Sequence, residues 1–433
     1  MRRSLAVVLF AVAASLAASA VARVPRAAAQ QPITVVSEAP ENDYPQGVTF
    51  RITVASPAPL KEARLLYQLA PDGVGATAVA TCTGDATVSC TFQLVSGRGI
   101  FIIPGAEITY HWEITNTAGI HLATPPKVYV HQDTRFTFKT LKEGNVTLYY
   151  HAGTQADAQA VLDAAAQTIQ KIGQLEATQV IFPVKVFLYQ TAAEMQPSIA
   201  SGSTGRGVIV LGEVVYSDTA MVSADRSPLD ITRHEVAHIV TDQATKGPYG
   251  IASWLNEGIS VYAQDTPLAS HADALRTAIE TDTALSLTQL SSPATGAASD
   301  TVSLFYGESG SIVKYLVDTY GPEKFARLLK TFKDGSTPDN AFQTVYGFDT
   351  LGLENHWRQS VGLPPRAAVP TSTPAPASQA AAAATPPASS GSATASTTAS
   401  SGVDRIAVAI IAGMIVLVAV AAAAAIVAVR RRI

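Results

Sequence analysis

The chain has 433 residues, with 30 lysines and arginines against 34 aspartates and glutamates. It is long enough for two or three domains, and its balance is too even for the basic footprint that nucleic-acid binding needs. Its positive mean hydropathy is concentrated at the two ends, which read as targeting and membrane segments and leave the middle to the fold.

Met1-Arg2-Arg3-Ser4 precedes an uncharged apolar run over residues 5–22, with small-residue sites at Ala20-Val21-Ala22 and Ala27-Ala28-Ala29. A basic start, an apolar core and Ala-x-Ala options predict a secretory signal peptide over residues 1–29. Residues 33–134 follow with a different rhythm. Segments 48–54, 63–69 and 108–114 alternate apolar and polar side chains, separated by turn residues such as Pro71-Asp72-Gly73, so a small all-β sandwich is expected. Pro104-Gly105-Ala106-Glu107 before the Tyr110-His111-Trp112 strand resembles immunoglobulin-like or fibronectin-like sandwiches. The two cysteines, Cys82 and Cys90, flank Gly84-Asp85. In an exported chain that arrangement predicts one disulfide across a hairpin.

From Asn145 the pattern becomes mixed α/β, and residues 145–363 are expected to form a second domain. Strands are predicted at 146–150 and 184–189 around an alanine-rich helix over 155–172, with a further strand at 207–211. His234-Glu235-Val236-Ala237-His238 then sits between Ser227-Pro228-Leu229-Asp230, a helix start with Ser227 as the expected cap and proline at the first position, and Lys246-Gly247-Pro248, a helix stop. On that helix His234 and His238 share a face one turn apart and can present two imidazoles to one metal ion. Separated from His238 by eighteen residues, Glu257 lies in Trp254-Leu255-Asn256-Glu257-Gly258, near the start of a helix predicted over 252–264. Two histidines and a carboxylate are a Zn2+ ligand set with one position left for water, and Glu235 beside them is placed to take a proton from that water. A bare His-Glu-x-x-His arises by chance in roughly one chain per hundred of this length; the helix start, helix stop and spaced Glu make chance a poor explanation. His111, His121, His131, His151, His271 and His356 show no metal-like spacing and read as surface or satisfied core positions.

At these residues the sequence resembles the gluzincin metallopeptidases of the MA clan, with the spacing of the aminopeptidase N family. The resemblance covers roughly residues 145–363. It implies an α+β zincin-like domain, zinc held by His234, His238 and Glu257, Glu235 as general base, and a peptide or protein substrate. It also implies that Tyr306, in Phe305-Tyr306-Gly307-Glu308-Ser309, hydrogen-bonds the oxyanion. Two departures stand beside the matches. The strand that carries the Met-Glu-Asn triplet in aminopeptidase N enzymes has none here, and four residues after Glu257 stands Val261 instead of a carboxylate. The missing triplet favours an endopeptidase, with strand 207–211 pairing with an extended substrate. Glu213, the nearest acid to that strand, is the residue that opposes this expectation.

Residues 364–402 are almost entirely Pro, Ala, Ser and Thr and are expected to form a disordered stalk. Residues 406–429 carry no charge and are long enough, at about 36 Å of helix, to span a bilayer. Arg430-Arg431-Arg432 follows at once, so residues 430–433 are expected in the cytoplasm and the domains outside. The whole is therefore expected to be a multidomain, single-pass cell-membrane protein of bacterial type: an extracytoplasmic zinc metallopeptidase that binds no nucleic acid. The alternative is a non-catalytic surface protein whose zinc site is a relic.

Overall fold

The computed structural model describes residues 31–70, 73, 75–97, 100–199, 209–294, 297–367 and 414–417. Its first part is a sandwich of two antiparallel sheets. One is ordered β1-β2-β6-β5, from β1 (Thr34–Asn42), β2 (Gly47–Ala55), β5 (Thr81–Gly84) and β6 (Thr87–Val95). The other is built from β3 (Leu60–Ala70), β4 (Ala76–Val79) and β7 (Glu107–Asn116), with β8 (His121–Ala123) and β9 (Lys127–Val130) lying in succession along one edge of β7. That edge strand is broken between β8 and β9, where Pro125-Pro126 cannot donate to the ladder. Alternation fixes the inner faces: Val48, Phe50, Ile52 and Val54 of β2 meet Ile108, Tyr110, Trp112 and Ile114 of β7 in one core. Cys82 and Cys90 are register partners on β5 and β6 and form a disulfide.

The second part is α+β. Its mixed sheet is ordered β10-β11-β12-β14-β13-β15, from β10 (Lys139–Glu143), β11 (Val146–Tyr150), β12 (Val184–Tyr189), β13 (Ile209–Tyr216), β14 (Thr219–Ser223) and β15 (Met414–Leu417). Strands β11, β12 and β14 run parallel, and the β11–β12 connection passes through α1 (Gln155–Leu175). After β12 come α2 (Ala192–Met195) and a tight turn at Gln196–Ser198; between β14 and Ser360 the described elements are all helices. The helices are α3 (Pro228–Thr245), α4 (Ser253–Ala263), α5 (Ala269–Glu280), α6 (Leu287–Leu290), α7 (Ser299–Tyr320), α8 (Pro322–Lys333), α9 (Pro338–Tyr346) and α10 (Thr350–Ser360). Helix α3 lies between layers. Val236 and Ile239 pack toward the sheet with Val184, Val186 and Leu188, whereas Ala237 and Val240 join the helical core around Trp254, Leu316 and Phe342.

Both faces of the mixed sheet are covered. Phe187 and Tyr189 of β12, Val210 of β13 and Met221 of β14 belong to the same apolar cluster as the sandwich interior. Gly105 allows this close approach: a β-carbon there would lie 2.9 Å from the Phe187 ring. The polar rim of the contact is built from Tyr44, Tyr189 and Ser198, whose hydroxyls meet at 2.8 Å and 2.7 Å, and from Tyr216, which donates to the Phe101 carbonyl.

Several expectations are revised. Ser227 does not cap α3 with its side chain; it has left-handed backbone (φ +46°), and the helix start rests on Pro228 at the first position and Asp230 in the first turn. The strand expected at 207–211 is described from Ile209 and runs on to Tyr216, where a hairpin leads into β14. The fold also continues past residue 363: Arg358 donates to the Pro364 carbonyl, and Arg366 is tied to Glu354, Asn355 and Ala284. The expected signal peptide and most of the expected stalk lie outside the described residues. Of the expected membrane helix, only Met414–Leu417 is described, as a strand along β13; among the described residues no helix is long and apolar enough to cross a membrane.

Candidate metal centre

Two adjoining helices carry the ligand set. His234 and His238 lie one turn apart on α3, with their rings 4.8 Å apart, and Glu257 comes from the second turn of α4. Glu257 Oε2 is 3.1 Å from His234 Nε2 and 3.4 Å from His238 Nε2, and all three ligand atoms lie within 4.8 Å of one another. His238 turns its Nδ1 to Asn256 Oδ1 at 3.1 Å, which leaves Nε2 directed at the cluster. Three buried donors converge on one point, and their types are those zinc prefers, so the residues present fit that ion.

The electrostatics follow from burial. Burial pushes the His234 pKa down to about 4, so its imidazole is neutral and able to ligate. For Glu257 burial acts upward, but the His238 charge and the His234 hydrogen bond outweigh it and leave the pKa at about 2. Glu235, fully buried, is pushed well above the ordinary carboxylate range, first by burial and then by the charges of Glu257 and Glu213, with the Val214 amide in partial opposition. Beyond the contact with the Val214 amide, neither Glu235 oxygen has a hydrogen-bond partner among the described residues. A dication at the ligand centre neutralises the Glu257 charge and shifts Glu235 back toward the carboxylate form.

Close helix approach assembles the rest. A β-carbon on Gly258 would fall against the Ser309 carbonyl and 2.7 Å from a Val313 methyl, and one on Gly310 would be 2.5 Å from Val261, so α4 and α7 touch almost backbone to backbone. This brings Tyr306, 3% exposed, to 6.0 Å from the His234 ring between centroids. Gly212 does the same for the sheet: a β-carbon there would lie 2.7 Å from Glu235 Oε1 and 2.6 Å from Ile231, so only glycine lets β13 pass beside Glu235. The five residues singled out from sequence, His234, Glu235, His238, Glu257 and Tyr306, thus lie in one buried region. Sequence reading missed Asn256, Gly212 and His271. Asn256 had a signal in its position next to Glu257, whereas His271, treated as an ordinary core or surface histidine, stacks on Tyr306 at 5.2 Å.

A sheet backed by helices, with a His-Glu-x-x-His helix and a glutamate on the next, defines a zinc peptidase domain. The Peptidase MA superfamily matches residues 164–362, a span that contains the whole ligand cluster. The chain is also similar to the M1 zinc metallopeptidase of Deinococcus radiodurans, studied as an E323A mutant, at 14% identity over 78% of this chain and 96% of that one, with a TM-score of 0.38. An aminopeptidase N family protein from Idiomarina loihiensis gives 10% identity over 74% of this chain and 75% of that one, with a TM-score of 0.35. A search of curated proteins finds no match.

Proposed function

We propose that this protein is a membrane-tethered, extracytoplasmic zinc endopeptidase in which Glu235 is the general base and Tyr306 the oxyanion donor. The observation that carries the reading is the convergence of His234, His238 and Glu257 with Glu235 buried beside them. Zinc bound by these ligands supplies Lewis acidity, lowering the pKa of a water and polarising the scissile carbonyl. Glu235 takes the proton of the attacking water and passes it to the leaving amine. The Tyr306 phenol donates to the oxygen that gains charge. Asn256 keeps His238 in one orientation throughout, through its bond to Nδ1.

Preference for internal bonds is supported by the strand beside the site. The outer edge of β13 accepts an extended segment: Met414–Leu417 lies along it antiparallel, as a peptide substrate would. Glu213, the acid that could hold a free amino terminus, is buried and is the register partner of Met221, a residue of the sandwich-side core. Val214 pairs with Ala220, on the α3 side. Residues opposite one another in an antiparallel pair share a face, so this register puts Glu213 on the face of β13 opposite Gly212, although its charge still reaches Glu235. The apolar stretch 406–429 cannot span a bilayer and pair with β13 at once; inserted in the membrane, it leaves the edge to substrate.

Three measurements test the reading. Purified protein should hold about one zinc per chain, and Glu235→Gln should keep that zinc while hydrolysis falls by roughly 10²–10⁴-fold. A blocked internal-bond peptide should be cleaved and an amino-acid amide spared; the reverse result removes the endopeptidase assignment and leaves the zinc site standing. Protease added to intact cells should release the folded part by cutting within residues 368–402, and protection until the membrane is opened would reverse the proposed topology.

A further inference from the structure

Helix α7 reaches the site squeezed between two others. On one side it touches α4 through Gly258 and Gly310; on the other it crosses α5 at Gly307, where a β-carbon would run into the His271 carbonyl and lie 3.2 Å from the Leu275 β-carbon. The crossing lays the His271 imidazole flat on the Tyr306 ring, 5.2 Å between centroids and 16° from parallel. Two further rings are set edge-on to Tyr306: His234 at 6.0 Å and 65°, Phe305 at 5.5 Å and 85°. The phenol is therefore bracketed by a ligand imidazole and a second imidazole that ligates nothing. Both Glu308 oxygens accept the Leu285 amide, pinning α7 to the segment that follows α5.

His271 is an expensive choice for filling a core. It is 7% exposed, and its Nδ1 is buried without a hydrogen bond among the described residues, a deficit that leucine or phenylalanine would not carry. Burial brings its pKa down to about 4, so the ring is neutral through the neutral range and adds no positive charge beside a bound dication.

We propose that His271 is a positioning residue of the peptidase site, holding the Tyr306 phenol by face-to-face stacking at the angle from which it reaches the oxyanion. The inference rests on the zinc peptidase reading for the role of Tyr306; the stacking itself does not. Displacing a catalytic group by about 1 Å can cost up to ~10²-fold in rate, and losing one oxyanion donor costs ~10²–10³-fold, so a loosened phenol should fall short of a deleted one.

The test compares His271→Leu, which keeps apolar volume without a ring, His271→Phe, which keeps the stack, Tyr306→Phe, and the His271→Leu/Tyr306→Phe pair, all in the zinc-loaded protein. His271→Leu should lower kcat roughly ten-fold with KM and zinc content unchanged, and His271→Phe should recover most of that. The pair should be no slower than Tyr306→Phe alone, because a residue that acts through the phenol has nothing to act on once the hydroxyl is gone. Independently of turnover, NMR of ring-labelled tyrosine in metal-free protein should show the Tyr306 resonance, identified by its loss in Tyr306→Phe, moving in His271→Leu. Additive losses in the pair, a His271→Phe as slow as His271→Leu, or an unmoved Tyr306 resonance would each overturn the proposal. A zinc-loaded wild type that cleaves no peptide would instead end the peptidase reading, with the NMR result still deciding whether the stack exists.

Discussion

Gly258→Ala tests whether helix contact sets the geometry of the metal ligands. An added β-carbon would lie 2.8 Å from the Ser309 carbonyl carbon and 2.7 Å from a Val313 methyl, against about 3.5 Å for relaxed carbon contacts. The Val313 methyl can turn aside, but the Ser309 backbone cannot, so α4 and α7 must separate by roughly 0.7 Å. Overpacking of this kind costs about 1–3 kcal/mol. Helix propensity works the other way, since alanine in place of an interior glycine gains about 1 kcal/mol. With the clash against backbone the cost is expected near its upper end, for a net loss of about 1–2 kcal/mol and a Tm lowered by about 2–8 °C. Glu257 is the preceding residue, and metal sites tolerate only about ±0.2 Å in ligand distance, so zinc affinity should fall by roughly 10–100-fold. Thermal unfolding with and without zinc, and competition against a chelator, measure the two effects. Gly310→Ala is the comparison: its β-carbon meets only the Val261 side chain, which can rotate, so its losses should be smaller. A Gly258→Ala protein that melts higher than wild type, or holds zinc as tightly, would refute the argument.

His131 is fully buried in the sandwich, its ring near Tyr44 and Tyr129, and neither ring nitrogen makes a hydrogen bond among the described residues. Burial takes its pKa down to about 4 despite Asp133 and Asp43 pulling upward. Against an unfolded value near 6.5, the unfolded chain holds the extra proton between these limits; stability is intact above pH ~6.5 and falls by about 3 kcal/mol as pH drops to ~4. His131→Phe should flatten that part of the Tm-against-pH curve, and an unchanged slope would assign the acid lability elsewhere. Ser198→Ala removes the hydroxyl shared by Tyr44 and Tyr189 and should cost about 1–3 kcal/mol, read by thermal unfolding. A loss below a few tenths would mean that the Tyr44–Ser198–Tyr189 hydroxyls add nothing to the hold of the sandwich on the sheet.

The site was legible in sequence where its chemistry is local. Helix periodicity alone places His234, Glu235 and His238 on one turn of α3, and the breaks at Gly247-Pro248 and Pro267 confine Glu257 to the next helix. What could not be read is which helices touch. Gly212, Gly258, Gly307 and Gly310 carry no pattern of their own; each matters because of the atom opposite it, and that atom lies on another element, from 19 residues away (Gly212 to Ile231) to 55 (Gly258 to Val313). His271 was missed for the same reason: its significance is the ring of Tyr306, on a helix that follows two turns and α6.

The sandwich is the larger departure. Alternation in β2, β3 and β7 revealed strands with one buried face, which is also what an independent surface module would show. The clue to its attachment lies in β12: Val184, Val186 and Leu188 are apolar, as a half-buried strand requires, but on the alternate face, after Lys185, Phe187 and Tyr189 are large and aromatic, as a strand buried on both faces requires. Those two rings enter the sandwich core, while their neighbours pack with α1 and α3. The sheet whose strand β13 passes beside Glu235 at Gly212 is therefore supported from beneath by the N-terminal sheets. A cut between the two parts would expose Phe187, Val210 and Met221 on the underside of the strands that frame the ligands, so the smallest fragment that preserves the metal centre begins at the sandwich and not at residue 145.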